Sequence, residues 1–276
     1  MTQITAAEVN KLRKATGAGM MDCKKALQEC NGDFDSAIDL LRKKGQKVAA
    51  SRAAREASEG VVISKTNSEN NSGVLICLNC ETDFVAKNQD FIDFTQSIAD
   101  IALKAGAENL EALKNADLGG HSVEQNITNQ IGIIGEKLEL SYFEKIDAPY
   151  VISYVHPGNK LATIVGLNQN GTDFQVAKDV AMQVAAMNPI SIDNDDVPQS
   201  VIDKELEIGK EQAREEGKPE NILEKIALGR LNKFFKESTL MSQQFIKESK
   251  QTIKQYLQDH NKELKVVDFK RFTLNI

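Results

Sequence analysis

The spacing of apolar residues changes abruptly near Gly60. Before it, apolar side chains recur three and four positions apart, as in residues 23–30, which is typical of an amphipathic helix. After it, short apolar runs at 61–64 and 74–78 flank the turn-forming segment 70–73, which indicates a β-hairpin. One chain with both patterns in separate blocks is neither a plain helical bundle nor an all-β sandwich. The sequence therefore predicts a small helical domain followed by a larger mixed body.

The N-terminal block predicts three short helices. Thr5-Ala-Ala-Glu8 has the form of a capping box at the start of the first. Gly17 and Gly19 break the chain before the second, and Asp33 can cap the third, which is followed by Gly45. We assign residues 1–46 to this domain. The Ala-rich segment 47–59 is predicted to be a helical linker.

The mixed body is predicted to hold two related subdomains, at residues 60–141 and 142–276. The order strand, loop, helix occurs twice, and Thr82-Asp-Phe84 recurs as Thr172-Asp-Phe174, so an ancient duplication is plausible. Residues 198–239 are strongly helical with a break at Gly217-Lys-Pro219, which predicts a protruding helical hairpin. The fold class is α+β.

The charge is distributed unevenly along the chain. The net charge is −6, yet residues 1–56 hold eleven Lys/Arg and seven Asp/Glu, so this part is +4 and the remainder −10. Such a balance favours protein partners and argues against direct nucleic-acid binding. No apolar run approaches the roughly 18 residues that would predict a membrane span, and the N-terminus does not resemble a secretion signal. We therefore expect a cytoplasmic protein with no membrane partner.

The chain has four cysteines, and Cys77-Leu-Asn-Cys80 has the spacing of a zinc-binding pair. A zinc site needs a second pair of ligands, whereas Cys23 and Cys30 lie on a predicted helix. Cys77 and Cys80 lie in a predicted strand, where positions three apart point to opposite faces. We expect buried, reduced thiols with neither zinc nor a disulfide.

No familiar catalytic motif is present. The chain has three histidines, His121, His156 and His260, and none lies in a metal-ligand or nucleophile motif. No phosphate-binding glycine loop of the Walker or dinucleotide type occurs. The sequence therefore predicts no cofactor and no active site of its own, and an enzyme would have to assemble its site from scattered residues.

Two segments could be recognition surfaces. In Thr16-Gly-Ala-Gly-Met-Met21, either one methionine is core and the other fills a gap, or Met20 and Met21 form a docking patch with Arg13 nearby. In Glu81-Thr-Asp-Phe-Val-Ala-Lys-Asn88, either Asp83 caps a turn over a packed Phe84, or Phe84 is an exposed apolar wedge beside an acidic acceptor.

These two segments resemble the signature motifs of the elongation factor Ts family. The first match is Thr16–Leu27 followed by Asn31-Gly-Asp33, and the second is Thr82-Asp-Phe-Val85 within Glu81–Asn88. The similarity extends to Ser153-Tyr-Val-His156, to the break at Gly217 and to the segment 262–272, so it covers nearly the whole chain.

The resemblance implies a ubiquitin-associated-like N-terminal domain, a core of two subdomains and a helical dimerisation hairpin. It implies a guanine-nucleotide exchange factor that releases GDP from elongation factor Tu, as a homodimer or a 2:2 complex. The motif Thr82, Asp83, Phe84 and Val85 would disturb the magnesium site of the GTPase. Arg13, Met20 and Met21 would dock on its nucleotide-binding domain, and His156 on another domain. The resemblance assigns no contact to Phe174 of the second copy, so we expect Phe174 to be structural and to pack in the core. Some relatives continue into a further C-terminal helix, whereas this sequence ends at Ile276, so a contact through that helix is in doubt.

Two other classes of function remain as alternatives. A ubiquitin-type adaptor would use residues 1–45 and would leave the acidic body without a role. An unrecognised enzyme would need a concave site lined by titratable groups.

Overall fold

The computed structural model describes residues 4–274 as an α+β fold. Its helices are α1 (Ala6–Thr16), α2 (Met20–Glu29), α3 (Phe34–Arg52), α4 (Asp83–Ala86), α5 (Gln89–Ala105), α6 (Leu110–Asn115), α7 (Val123–Ile134), α8 (Phe174–Met187), α9 (Gln199–Glu215), α10 (Leu223–Ser238) and α11 (Ile253–His260). Its strands are β1 (Glu59–Thr66), β2 (Ser72–Cys80), β3 (Glu139–Asp147), β4 (Tyr150–Val155), β5 (Leu161–Leu167), β6 (Gln244–Phe245), β7 (Glu248–Thr252) and β8 (Val266–Thr273).

Helices α1, α2 and the first half of α3 form the N-terminal module. The predicted capping box is confirmed, because Thr5 and Glu8 each bond to the other's backbone N–H. Asp33 caps α3 as predicted, accepting a hydrogen bond from Ser36 N. Gly17 ends α1 at φ 71°, a left-handed conformation that favours glycine.

The predicted linker is not a separate element. Helix α3 runs through Gly45 without a break and ends at Arg52, so only residues 53–58 connect the module to β1. Its second half lies against α7, where Gly45 faces Gly132 and a Cβ added to Gly132 would lie 2.5 Å from the Gly45 Cα. The glycine that suggested a helix end thus marks a close helix crossing.

The first sheet has the strand order β1-β2-β3, and all pairs are antiparallel. The hairpin predicted after Gly60 is confirmed. The predicted boundary between residues 141 and 142 is wrong, because it falls within β3 and β3 pairs with β2. The first subdomain therefore extends to Asp147, and the second begins at Tyr150.

The second sheet repeats the topology of the first. Its order is β4-β5-β8, so a hairpin is again completed by a later strand that pairs with the hairpin's second strand. In both subdomains a helix follows the middle strand directly: α4 and α5 follow β2, and α8 follows β5. This shared order supports the internal duplication.

The two sheets lie face to face, with helices on the outer side of each. Helices α5 and α7 cover the first sheet, while α8 and α11 cover the second. The inner faces meet in a core that includes Cys77 and Ile164. Cys80 instead points to the helical side of β2, so the predicted opposition of the two thiols is confirmed.

Helices α9 and α10 form the predicted hairpin. They cross closely at Gly209, where an added Cβ would lie 3.2 Å from the Ala227 Cα. The hairpin buries only some of its apolar residues. Leu223 and Leu231 are buried between the helices, whereas Ile222 is 37% exposed.

The base of the hairpin is held to the core by side-chain hydrogen bonds. Asn194 accepts from the hydroxyls of Thr239 and Ser242, at 2.9 and 3.2 Å. Gln243 donates to the carbonyl oxygens of Met187 and Glu237. In the described part of the chain, no helix is long and apolar enough to cross a membrane.

Candidate functional site

The motif Thr82–Val85 forms the start of a single helical turn, α4, directly after the middle strand of the first sheet. Thr82 is its N-cap, with extended backbone angles and a hydroxyl that accepts from Val85 N at 3.4 Å. Asn88 then caps α5 two residues after α4 ends. The turn is therefore fixed between a strand and a long helix.

The two faces of α4 differ in burial. Ala86 is buried, and Val85 packs against the core of the first subdomain. Phe84 points outward and is 83% exposed, although a large aromatic side chain gains free energy from burial. Of the two interpretations of this segment, the structure agrees with the one in which Phe84 is an exposed apolar side chain. Phe84 is not packed under the turn.

Asp83 is not the cap of this turn. The cap is Thr82, and the Asp83 carboxylate instead accepts a hydrogen bond from Lys87 Nζ at 2.6 Å. The bond from Lys87 lowers the pKa of Asp83, and the positive charges of Lys87 and Lys160 lower it further. An ionised carboxylate thus lies beside the exposed ring of Phe84.

The turn containing His156 lies on the same side of the core. The Asn159 carbonyl accepts from Val62 N at 2.7 Å, which fixes this turn on β1. Lys160 pairs with Glu59 at 3.0 Å and acts electrostatically on Asp83. His156 itself is exposed, and its Nδ1 lies 3.0 Å from the Tyr154 hydroxyl. The fold brings the His156 turn close to Asp83, although more than seventy residues separate them.

Arg13, Met20 and Met21 lie together at the bend between α1 and α2. Arg13 is exposed in the last turn of α1, and its carbonyl oxygen accepts from Gly17 N. The two methionines occupy the first turn of α2 and are 52% and 62% exposed. The alternative with one methionine in the core is therefore wrong, because Cys23, Ala26 and Leu27 supply the buried face of α2.

The methionine bend and the motif are two separate surfaces. Helix α3 connects them: Ile38 packs in the N-terminal module, and Arg52 contacts Glu81 beside the motif. At 1.5 Å per residue, this part of α3 spans roughly 21 Å. A single partner that contacts both must therefore be a large molecule such as a protein.

The second copy of the motif was expected to be structural, with Phe174 in the core. Phe174 is instead 58% exposed at the start of α8, with Lys178 Nζ 5.7 Å from its ring centre. Asp173, and not Thr172, caps this helix, so the backbone enters it one residue later than in the first copy. The expectation of a buried Phe174 is wrong.

Sequence reasoning missed Glu136, which lies next to the motif. It follows the C-cap of α7 and accepts hydrogen bonds from the backbone of Glu81 and from Thr82. No local pattern marks a glutamate in a loop 54 positions away, so only the fold reveals this contact.

Other surfaces offer less to a ligand. A cleft of about 930 Å³ separates the N-terminal module from α7, and across it Arg42 donates to His121 Nε2 at 2.7 Å. Among residues 4–274, no group of three or more His, Cys, Asp or Glu side chains is placed to hold a metal ion. The exposed ring and carboxylate of α4 remain the clearest candidate contact.

Comparison with known proteins assigns a family to nearly the whole chain. The family model described as elongation factor TS matches residues 81–275. A protein named elongation factor Ts from Christiangramia forsetii is 55% identical over 99% of this chain and its own full length. Proteins of the same name from Amoebophilus asiaticus and Porphyromonas gingivalis are 53% and 51% identical, over 97% and 99% of this chain and 98% of their own.

Proposed function

The chain belongs to the elongation factor Ts family, and on that basis we propose that it is a guanine-nucleotide exchange factor for elongation factor Tu. It binds the GDP-bound GTPase, promotes release of GDP and so allows GTP to load. The exchange factor has no active site of its own, because the only bonds that change are those between the GTPase and its nucleotide.

The observation that carries this proposal is the exposed Phe84 beside the ionised Asp83. A bound Mg²⁺ is the largest local charge in a nucleotide site and joins the phosphates to the GTPase. A rigid turn that inserts an apolar ring and a carboxylate beside that site disturbs its geometry and loosens GDP. Thr82 and Val85 hold the turn, while Asp83 and Phe84 make the contact.

The free-energy source is differential binding. An exchange factor that binds the nucleotide-free GTPase more tightly than the GDP-bound form shifts the GTPase toward release. The coupling is reciprocal, so GDP must weaken the binding of the factor by the same ratio. Arg13, Met20 and Met21 contribute to binding away from the nucleotide, which matches their exposure and their separation from the motif. The exposed His156, in a turn nearer to the motif, contacts another domain of the GTPase. We propose that the N-terminal module is ubiquitin-associated-like and docks on the nucleotide-binding domain of the GTPase.

The test is the release of a fluorescent GDP analogue from elongation factor Tu. Substoichiometric amounts of the chain should accelerate release, with a rate that saturates as the chain is increased. Excess GDP should dissociate the complex. A release rate unchanged at every concentration of the chain would overturn the proposal.

The role of the methionine bend is better tested by point substitution than by deletion. Val48 and Ala49 of α3 pack against the first subdomain, so removal of residues 1–50 would uncover its core. The double variant Met20→Ala/Met21→Ala leaves this packing intact. It should raise the concentration of the chain needed for half-maximal release and leave the maximal rate near that of the wild type.

We also propose that the α9–α10 hairpin mediates association, either of two chains or of a 2:2 complex with the GTPase. Leu228 on α10 is 48% exposed and Ile222 at the tip 37%, and exposed apolar surface often marks an interface. In sedimentation experiments Leu228→Lys should shift the chain or its complex toward the smaller species. Ile246→Lys, at a 41% exposed site outside the hairpin, is the control. Equal effects of the two substitutions would argue against the hairpin.

A further inference from the structure

We propose that Glu136 is a positioning residue of the exchange motif, and that with Glu81 it forms a carboxylate clamp that fixes where Phe84 projects. The role rests on the proposed exchange function and deepens it. Neither glutamate makes the proposed contact with the GTPase, since Glu136 acts through the backbone and side chain of Thr82 and Glu81 acts by holding the loop of Glu136.

Glu136 binds the start of the motif through three hydrogen bonds. Its Oε2 accepts from the backbone N–H groups of Glu81 and Thr82 at 3.1 and 3.0 Å. Its Oε1 accepts from the Thr82 hydroxyl at 2.6 Å. These groups include the N-cap of α4, so one carboxylate sets both the position and the direction of the turn that carries Phe84.

The loop of Glu136 is itself held in return. Lys137 N donates to Glu81 Oε1 at 2.6 Å, so each of the two glutamates accepts from the backbone of the other's segment. Gly135 precedes this loop in the left-handed conformation, at φ 79°, and turns the chain from α7 toward the motif. The clamp therefore joins the end of α7 to the end of β2.

Two arginines neutralise the clamp. Arg52 Nη1 contacts both oxygens of Glu81 at 3.1 Å, and Arg55 Nη1 contacts Oε2 at 3.2 Å. The Glu81 side chain is only 13% exposed, and its carboxylate accepts four hydrogen bonds from three donor groups, Arg52 Nη1, Arg55 Nη1 and Lys137 N. Hydrogen bonds to a charged group are stronger and shorter than neutral ones.

The short helix α4 depends on the clamp for its orientation. Helix α4 has four residues and is too short to be stable by itself. Only Ala86 is buried within it, so burial fixes one side and leaves the angle of the exposed side to its N-terminal anchor. A ring that is already held in its binding position before contact with the GTPase binds more tightly, because less conformational entropy is lost on binding.

The experiment measures GDP release at increasing concentrations of the intact chain. Glu136→Ala should lower the maximal release rate about tenfold, the scale of one lost charge-assisted hydrogen bond. The concentration for half-maximal release should change little, because the methionine bend still docks. Glu136→Gln keeps one acceptor oxygen, which can serve both backbone N–H groups as Oε2 does, and should reduce the rate less than Glu136→Ala. Glu111→Ala, which removes an exposed glutamate of α6, should behave as the wild type.

A double-variant cycle separates positioning from general stability. If Glu136 acts through Phe84, then Glu136→Ala should have almost no further effect on the maximal rate in a Phe84→Ala background. A full additional loss in that background overturns the proposal, and so does a folded Glu136→Ala chain with the wild-type rate. If Glu136→Ala does not fold, Thr82→Val removes one of the three bonds and should give an intermediate loss. A wild-type rate for Thr82→Val would then overturn the clamp.

The outcomes distinguish this proposal from the exchange function. If Phe84→Ala slows GDP release and Glu136→Ala releases GDP at the wild-type rate, the clamp is refuted and the exchange motif still stands. A wild-type rate for Phe84→Ala removes the ring from the mechanism, and the proposal that Glu136 positions this ring falls with it.

Discussion

Gly45 of α3 and Gly132 of α7 lie backbone to backbone, so that a Cβ on Gly132 would stand 2.5 Å from the Gly45 Cα. No side chain separates the two helices at this point. The approach fixes how the N-terminal module is placed against the first subdomain, because α3 continues from one into the other. The spacing between the methionine bend and the motif therefore depends on this pair.

Gly132→Ala is expected to destabilise the docked arrangement. The new methyl group meets backbone atoms that cannot rotate away, and such overpacking costs about 1–3 kcal/mol. Hydrogen exchange of α3 beyond Gly45 and urea unfolding are the measurements. Gly229→Ala on α10 is the matched control, since nothing lies within 4 Å of its added Cβ. There the loss of glycine flexibility should stabilise the chain by about 0.5–1 kcal/mol. A Gly132→Ala chain as stable as the control would show that the crossing is not tight in solution.

Local patterns in the sequence predicted what local chemistry decides. The capping box at Thr5, the cap at Asp33 and the hairpin after Gly60 depend on neighbouring residues, and each is confirmed. Gly45 led to an error, because helices often end at a glycine. Only the distant Gly132 explains the place of Gly45 inside a helix.

The sequence predicted where the candidate site lies, but not the distant residues that hold it in place. The motif could be found by its resemblance to a family, and the exposure of Phe84 agrees with one of the two readings. Glu136 and Lys160 could not be found, because the fold brings them to the motif from distant loops. The boundary between residues 141 and 142 was misplaced for the same reason. The local sequence of β3 does not show that this edge strand pairs with β2.

Cys77 and Cys80 are expected to resist alkylation in the native protein. Burial raises the pKa of both thiols to about 12, and at Cys80 the negative charge of Glu136 adds to this. The reactive thiolate is therefore scarce at pH 8. Iodoacetamide should modify the half-buried Cys30 first, and all four cysteines only after unfolding. Peptide mass spectrometry gives the order, and Cys30→Ser should remove the fast phase. Modification of Cys77 or Cys80 at the rate of Cys30 would contradict the burial.

Ionised Glu81 is expected to stabilise the fold at neutral pH and to lose this role in acid. The hydrogen bond from Lys137 N lowers the pKa of Glu81, with further lowering by Arg52 and Arg55. The folded chain thus binds the proton less tightly than the unfolded chain. The stabilisation by ionised Glu81 is complete at pH values above the ordinary carboxyl pKa. It disappears as the pH falls through the lowered pKa that Glu81 has in the folded chain.

Glu81→Gln removes the titrating group and provides the comparison. Urea unfolding of both chains at a series of pH values should give a difference in unfolding free energy that is constant near neutrality and shrinks in acid. A difference that widened as the pH fell would mean that Glu81 is more easily protonated in the folded chain, contrary to the clamp geometry.

Phe84 and Phe174 form a matched pair for the proposed exchange motif. Both follow a Thr-Asp dipeptide after the middle strand of a sheet, and both are exposed, by 83% and 58%. Truncation of an exposed side chain usually changes stability by no more than about 0.5 kcal/mol. Phe84→Ala and Phe174→Ala should therefore melt close to the wild type. Phe91→Ala, at a buried site that is 2% exposed, should lose about 3–5 kcal/mol.

The GDP-release assay should then separate the two exposed rings. Phe84→Ala should slow release about tenfold or more, the scale of a central interface residue, while Phe174→Ala should release GDP at the wild-type rate. The comparison keeps the residue type and its place after the middle strand of a sheet, and both rings are exposed, so a difference in rate points to where each ring projects. Equal slowing by both substitutions would mean that exposed aromatic surface in general, and not the motif after β2, contacts the GTPase. A normal rate for Phe84→Ala would remove the ring from the mechanism and leave Asp83 as the remaining group of α4 able to act on the magnesium site.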